Sequence, residues 1–114
     1  MLQSKSLCGV TLQYNIEGDG YPVILMHGWG CNHTTVQSIE RLLSPHFKVY
    51  NLDFPGFGGS STPPSIWGVE EYTQMLEAFI KDENIEELNN KISTEYKQKV
   101  NQILNNKGNQ KYIP

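Results

Sequence analysis

No feature limits the fold of this chain more than the run Val23-Ile24-Leu25-Met26. It offers no polar position for a solvent side, Pro22 precedes it, and Gly28 follows two residues after it. Such a run reads as a strand buried on both faces, the situation of a strand inside a parallel sheet. Parallel neighbours need crossover connections, usually helical, so helices are expected along the flanking sequence.

The flanks supply them. Val10-Thr11-Leu12-Gln13-Tyr14-Asn15-Ile16 alternates apolar and polar residues, the pattern of a strand with one buried face. Residues 3–9 are expected to pair with it as the other arm of an antiparallel hairpin, and Glu17-Gly18-Asp19-Gly20 is a turn. From Thr34, the apolar residues Val36, Ile39, Leu42 and Leu43 recur at helical spacing, with a Thr or Asn to cap the start and Pro45 to close the segment. Residues 47–54 return to a strand pattern, and residues 55–64 form a loop dense in Gly, Ser and Pro. Strand, helix, strand in that order implies a right-handed parallel crossover. Val69, Tyr72, Met75, Leu76, Phe79 and Ile80 then mark a second amphipathic helix that covers a sheet face.

Past Ile85 the composition changes. Asn89, Asn90, Asn101, Asn105, Asn106 and Asn109 appear among lysines, and the remaining aromatics are Tyr96 and Tyr112. Ile92, Tyr96, Val100, Ile103 and Leu104 predict a third helix of low propensity that frays near Gly108. The chain therefore divides into residues 1–86 and an Asn/Lys-rich segment, 87–114.

With 114 residues, 38% hydrophobic and 18% charged, the sequence suits one small folded domain. A net charge of -3 argues against a nucleic-acid partner, which requires a clustered basic face. No stretch approaches the roughly 20 apolar residues of a membrane span, so a cytoplasmic location is expected. Cys8 and Cys31 lack metal-ligand spacing and read as reduced, partly buried thiols. His33 and His46 flank no carboxylate or cysteine at ligand spacing and are expected at surface or helix-edge positions. No metal and no cofactor is expected.

Two motifs close the two central strands: His27-Gly28-Trp29-Gly30 and Asp53-Phe54-Pro55-Gly56-Phe57-Gly58-Gly59-Ser60. In this order, separated by one helix and each at the carboxyl end of a strand, they resemble the α/β-hydrolase superfamily over residues 12–85. The resemblance implies an α/β fold: part of an α/β-hydrolase core, a mostly parallel sheet of about four strands with an N-terminal hairpin and two or three helices. It also implies the Trp29 backbone N–H as one donor of an oxyanion hole, since acyl transfer develops a charge that preorganised donors must meet. Gly28 and Gly30 would let the chain turn sharply and substrate approach, with His27 bonding to nearby backbone. Asp53, Gly56, Gly58 and Ser60 would brace that loop.

The family's nucleophile sits on a Gly-x-Ser-x-Gly elbow, which this sequence does not contain. After Asn84-Ile85, where a further apolar strand is due, the sequence reads Glu86-Glu87-Leu88-Asn89-Asn90-Lys91. The triad's acid and histidine come later still in the family, whereas His27, His33 and His46 all precede that point. No catalytic set is complete, Ser60 and Ser61 have no neighbouring base, and the chain is expected to be a hydrolase truncated before its nucleophile and inactive alone. A small-molecule substrate is expected only if further sequence completes the site.

In the family's strand order, the 23–26 strand lies between the 48–52 strand and the nucleophile strand. Without the latter it becomes a sheet edge, open to self-association or to a partner chain. A non-enzymatic interaction module completed through that edge is therefore the alternative reading. A nucleotide-binding start is a weaker one, because Gly28-x-Gly30 follows a strand and Asp53 ends the next, yet His33 stands at the third glycine position.

Overall fold

Cys8 and Gly9 both take positive φ, 51° and 79°, so the chain reverses in a two-residue turn whose twist matches that of the strands it joins. This builds the hairpin β1 (Leu2–Leu7) and β2 (Val10–Glu17). β3 (Tyr21–Met26) follows, then a 3-10 turn at His33–Val36 that runs into α1 (Gln37–Leu43). β4 (Phe47–Leu52) and α2 (Val69–Asp82) come next. The structure is a computed structural model that describes residues 1–85; the expected third helix and the segment 87–114 lie outside them.

The sheet order is β1-β2-β4-β3. β3 runs parallel to β4, with Val23 opposite Val49 and Met26 opposite Leu52, while β2 runs antiparallel to both β1 and β4. β1, β3 and β4 thus point one way and β2 opposes them.

The two faces of this sheet differ in chemistry. Leu12 and Tyr14 on β2 and Tyr50 and Leu52 on β4 pack against Met75 and Phe79 of α2, all essentially without solvent contact. Tyr14 and Phe79 meet edge to face at 5.0 Å, a favoured aromatic geometry. α2 begins where the Gly68 N–H donates to the Glu71 carboxylate at 2.6 Å. Its far end is tied to β1, because Lys5 Nζ donates to Asp82 and Glu83. Val69, part of the expected apolar stripe, is instead exposed in the first turn.

The opposite face carries buried polar groups. The apolar stripe that starts from Thr34 predicts burial of Ile39 and Leu42, but Leu42 is 74% exposed and Ile39 45%. α1 instead turns Glu40 inward, where it accepts from the side-chain amides of Asn15 at 2.9 Å and Asn51 at 3.3 Å. Asn15 and Asn51 face each other across β2 and β4, so that part of the face offers donors, and a buried carboxylate needs donors. The start of this segment is fixed by Asn32, which accepts from the Thr34 N–H at 2.9 Å while the Asn32 N–H reaches the Thr35 hydroxyl.

β3 also departs from the pattern of its sequence. Val23, Ile24 and Leu25 are half-buried and Met26 is 49% exposed. The reason is position: β3 is a sheet edge with only β4 beside it among the described residues. β4 stops at Leu52 rather than residue 54, though Asp53 N–H still donates to Gln13 O at 2.9 Å. The loop then returns to β2, where Ser61 N–H donates to Thr11 O and Thr11 N–H to Ser61 Oγ. Cys31 is half-buried, whereas Cys8 is exposed at the hairpin tip rather than partly buried; both thiols are free.

Candidate active site

Because β3 and β4 are adjacent and parallel, the residues leaving their carboxyl ends emerge side by side. His27, buried one residue past β3, meets Phe54, two residues past β4. The Phe54 N–H donates to His27 Nε2 at 3.0 Å, and His27 Nδ1 donates to Gly28 O at 2.7 Å. Neither ring nitrogen is left for proton transfer to a substrate, so the geometry gives His27 a bracing place and no role as general base.

Asp53 is fully buried and gathers three segments. Its Oδ1 accepts from the His33 N–H at 2.6 Å and from His33 Nδ1 at 2.8 Å. Its Oδ2 accepts from Gln13 Nε2 at 2.9 Å on β2 and from the Gly59 N–H at 3.0 Å in the following loop. Burial by itself would raise the pKa of this carboxyl; the donors from Gly59, His33 and Gln13 prevail and hold it below the ordinary aspartate value. Ser60 acts on the backbone instead: its Oγ donates to Asp53 O at 2.6 Å and accepts from the Gln13 N–H at 2.8 Å. Gly58, at φ 52°, passes directly against the carboxylate. Gly56, at φ 94°, stands apart beside Pro63 and turns the loop so that its N–H reaches Ser61 O.

The loop 28–32 is thus suspended from two consecutive residues, Asp53 and Phe54. Gly30, at φ 80°, lets it turn, and the Cys31 N–H closes the turn on Gly28 O at 3.1 Å. Among the described residues the Trp29 N–H has no hydrogen-bond partner. Trp29 is 81% exposed, and its indole leans edge-on against Phe57 at 4.8 Å. Trp29 also borders an apolar groove of about 460 Å³, lined with Met26, Phe54, Trp67, Tyr72 and Leu76. Among the described residues no cluster of His, Cys, Asp or Glu has the form of a metal site. The nucleotide-binding alternative fails on geometry, because α1 begins at Gln37 and presents no α-helix N-terminus to the Gly28-Trp29-Gly30 turn.

A family model for the alpha/beta hydrolase fold matches residues 21–112. The chain belongs to this family. It is 36% identical over 67 residues to the pimeloyl-[acyl-carrier protein] methyl ester esterase of Vibrio cholerae, covering 59% of this chain and 26% of that protein. The enzyme of the same name from Pectobacterium carotovorum is 45% identical over 51 residues, 44% of this chain and 20% of that protein. The chain thus spans about a quarter of the length of the curated relatives it matches. Among solved structures, an alpha/beta hydrolase from Sphaerobacter thermophilus superposes with a TM-score of 0.64 at 28% identity, covering 70% of this chain and 31% of that one. A haloalkane dehalogenase loop variant from Bradyrhizobium elkanii shares the fold, with a TM-score of 0.70 at 24% identity over 75% of this chain and 29% of that one.

In this hydrolase segment the structure brings together His27, Gly28, Trp29 and Gly30 with Asp53, Gly58 and Ser60, on the common end of β3 and β4. Two members of the cluster were not expected. His33 does sit at a helix edge, as its sequence position suggests, but it faces Asp53 rather than solvent, whereas His46 is exposed. Gln13 was read only as a polar alternate in β2. The available signal was the amides Gln13, Asn15 and Asn51, placed between apolar residues on their strands.

Proposed function

We propose that this segment supplies the oxyanion-binding part of a serine-type carboxylic-ester hydrolase, with the Trp29 N–H as donor. The nucleophile, acid and base lie outside these 114 residues, and the chain alone does not turn over esters. One observation carries this reading: the 28–32 loop is braced at both ends on Asp53 and Phe54, yet among the described residues the Trp29 N–H stays unengaged beside an apolar groove. A preorganised donor beside an apolar wall is what a developing alkoxide charge requires. The methyl ester esterases among the relatives favour an ester with an apolar acyl part as substrate.

The test has two arms. A fluorophosphonate probe on the chain alone is expected to label none of the eight serines; rapid stoichiometric labelling of one of them overturns the reading. In the Vibrio cholerae esterase carrying residues 21–85 of this chain, methyl-ester hydrolysis is expected to persist. There Trp29→Pro, which removes the N–H, lowers kcat by about a hundredfold or more. An unchanged kcat in the folded proline variant rules out Trp29 as the donor.

A second reading follows from β3 as an edge strand beside exposed Met26, Trp29 and Val69. An open apolar edge is a template for pairing, and self-association through it would make the segment an interaction module. Sedimentation across a concentration series decides this: a monomer at every concentration removes it.

A further inference from the structure

Resting on the reading that the 28–32 loop carries the oxyanion donor, we infer that His33 is a positioning residue for that loop, acting through Asp53. The loop has two anchors. At its start, His27 is fastened to the Phe54 backbone. At its end, His33 is fastened to Asp53 twice, by its backbone N–H and by its ring, at 2.6 Å and 2.8 Å to the same oxygen. The ring nitrogen also lies 2.9 Å from Oδ2, so it spans the carboxylate.

This double attachment matters because the carboxylate can rotate. Its Oδ2 is already claimed by Gln13 and Gly59, donors from β2 and from the loop after β4. The ring adds a donor from the oxyanion loop's own side and fixes the carboxylate plane that the His33 N–H must meet. Asn51 Nδ2 holds the other side of the same peptide region by donating to His33 O at 2.9 Å. The His33 ring therefore sets where residue 33 sits, and with it the end of a five-residue loop whose internal turn is the Cys31 N–H bond to Gly28 O. Turnover plays no part in this role, and it is testable on the chain as it exists.

Amide hydrogen exchange of the 114-residue chain, read residue by residue by NMR, provides the test. In His33→Ala the Cys31 and His33 amides are expected to exchange about tenfold faster than in the wild type. Tyr50, in the centre of β4, serves as the internal reference. His33→Asn, whose side-chain amide nitrogen falls near the place of Nδ1, is expected to restore both amides. A merely space-filling histidine would leave Asn as poor as Ala and would be replaced by His33→Leu; rescue by Leu and not by Asn overturns the inference, as does unchanged Cys31 exchange in a folded Ala variant.

Should the Ala variant fail to fold, His33→Asn and His33→Leu decide between them: Asn is expected to hold the Cys31 and His33 amides near wild-type exchange and Leu to leave them faster, and the reverse order overturns the inference. Neither readout uses hydrolysis, so a failed ester assay in the chimera and a failed coupling here remain separate results.

Discussion

The backbone of Gly58 lies so close to the Asp53 carboxylate that a Cβ at that position would overlap its Cγ and both oxygens. The brace of the 28–32 loop is thus built around a missing side chain.

Gly58→Ala is expected to cost roughly 2–4 kcal/mol, since it combines a left-handed backbone at φ 52° with overpacking of a buried charge. Gly28→Ala is the control, because nothing lies within 4 Å of a Cβ there, and it should shift stability by less than about 0.5 kcal/mol. Urea midpoints of the two variants measure the contrast. Equal midpoints would mean that Gly58 is not packed on Asp53.

Asp53→Asn places an amide among four donors, one from Gln13, one from Gly59 and two from His33, and should cost about 2 kcal/mol or more at pH 7. The sign of its pH dependence follows from the lowered carboxyl pKa. The folded value lies below the ordinary 3.8, so the stabilisation is present above that pH and is lost as pH falls below it. The gap between wild type and variant should therefore narrow below about pH 4, as read by chemical denaturation across pH. A gap that widens in acid would contradict the network.

Lys5 is held by Asp82 and Glu83, and although burial opposes its charge these partners raise its pKa. Here the sign is reversed: the contribution is complete below the ordinary lysine value of 10.5 and disappears as pH climbs through the higher folded value. Lys5→Met removes the ammonium that these carboxylates hold and that lies 5.7 Å from the Tyr14 and Phe79 ring centres, and should cost about 1 kcal/mol at pH 7. The difference from wild type should shrink above pH 10.5. Thermal unfolding at pH 7 and at high pH checks it.

Among the described residues both α-helices, the four strands and both motifs were legible, because periodicity and glycine placement are written locally. The inward turn of Glu40 was not. Ile39 and Leu42 read as a buried stripe, and only the amides of Asn15 and Asn51, brought beside α1 by strand pairing, make Glu40 the better residue to bury. The His33 bond to Asp53 was equally hidden, since twenty residues and a helix separate the partners in the chain.

By itself the sequence determined the element order, the family, and the absence from these residues of a Gly-x-Ser-x-Gly elbow, since each depends on residue type and spacing along the chain. Only the tertiary structure decided which face of the sheet is apolar, that His27 has no free ring nitrogen, and that one buried carboxylate ties β2, the 28–32 loop and the Gly-rich loop together. Those outcomes depend on which strand lies beside which: the parallel pairing of β3 and β4 brings His27 to Phe54, and the antiparallel pairing of β2 and β4 brings Gln13 to Asp53.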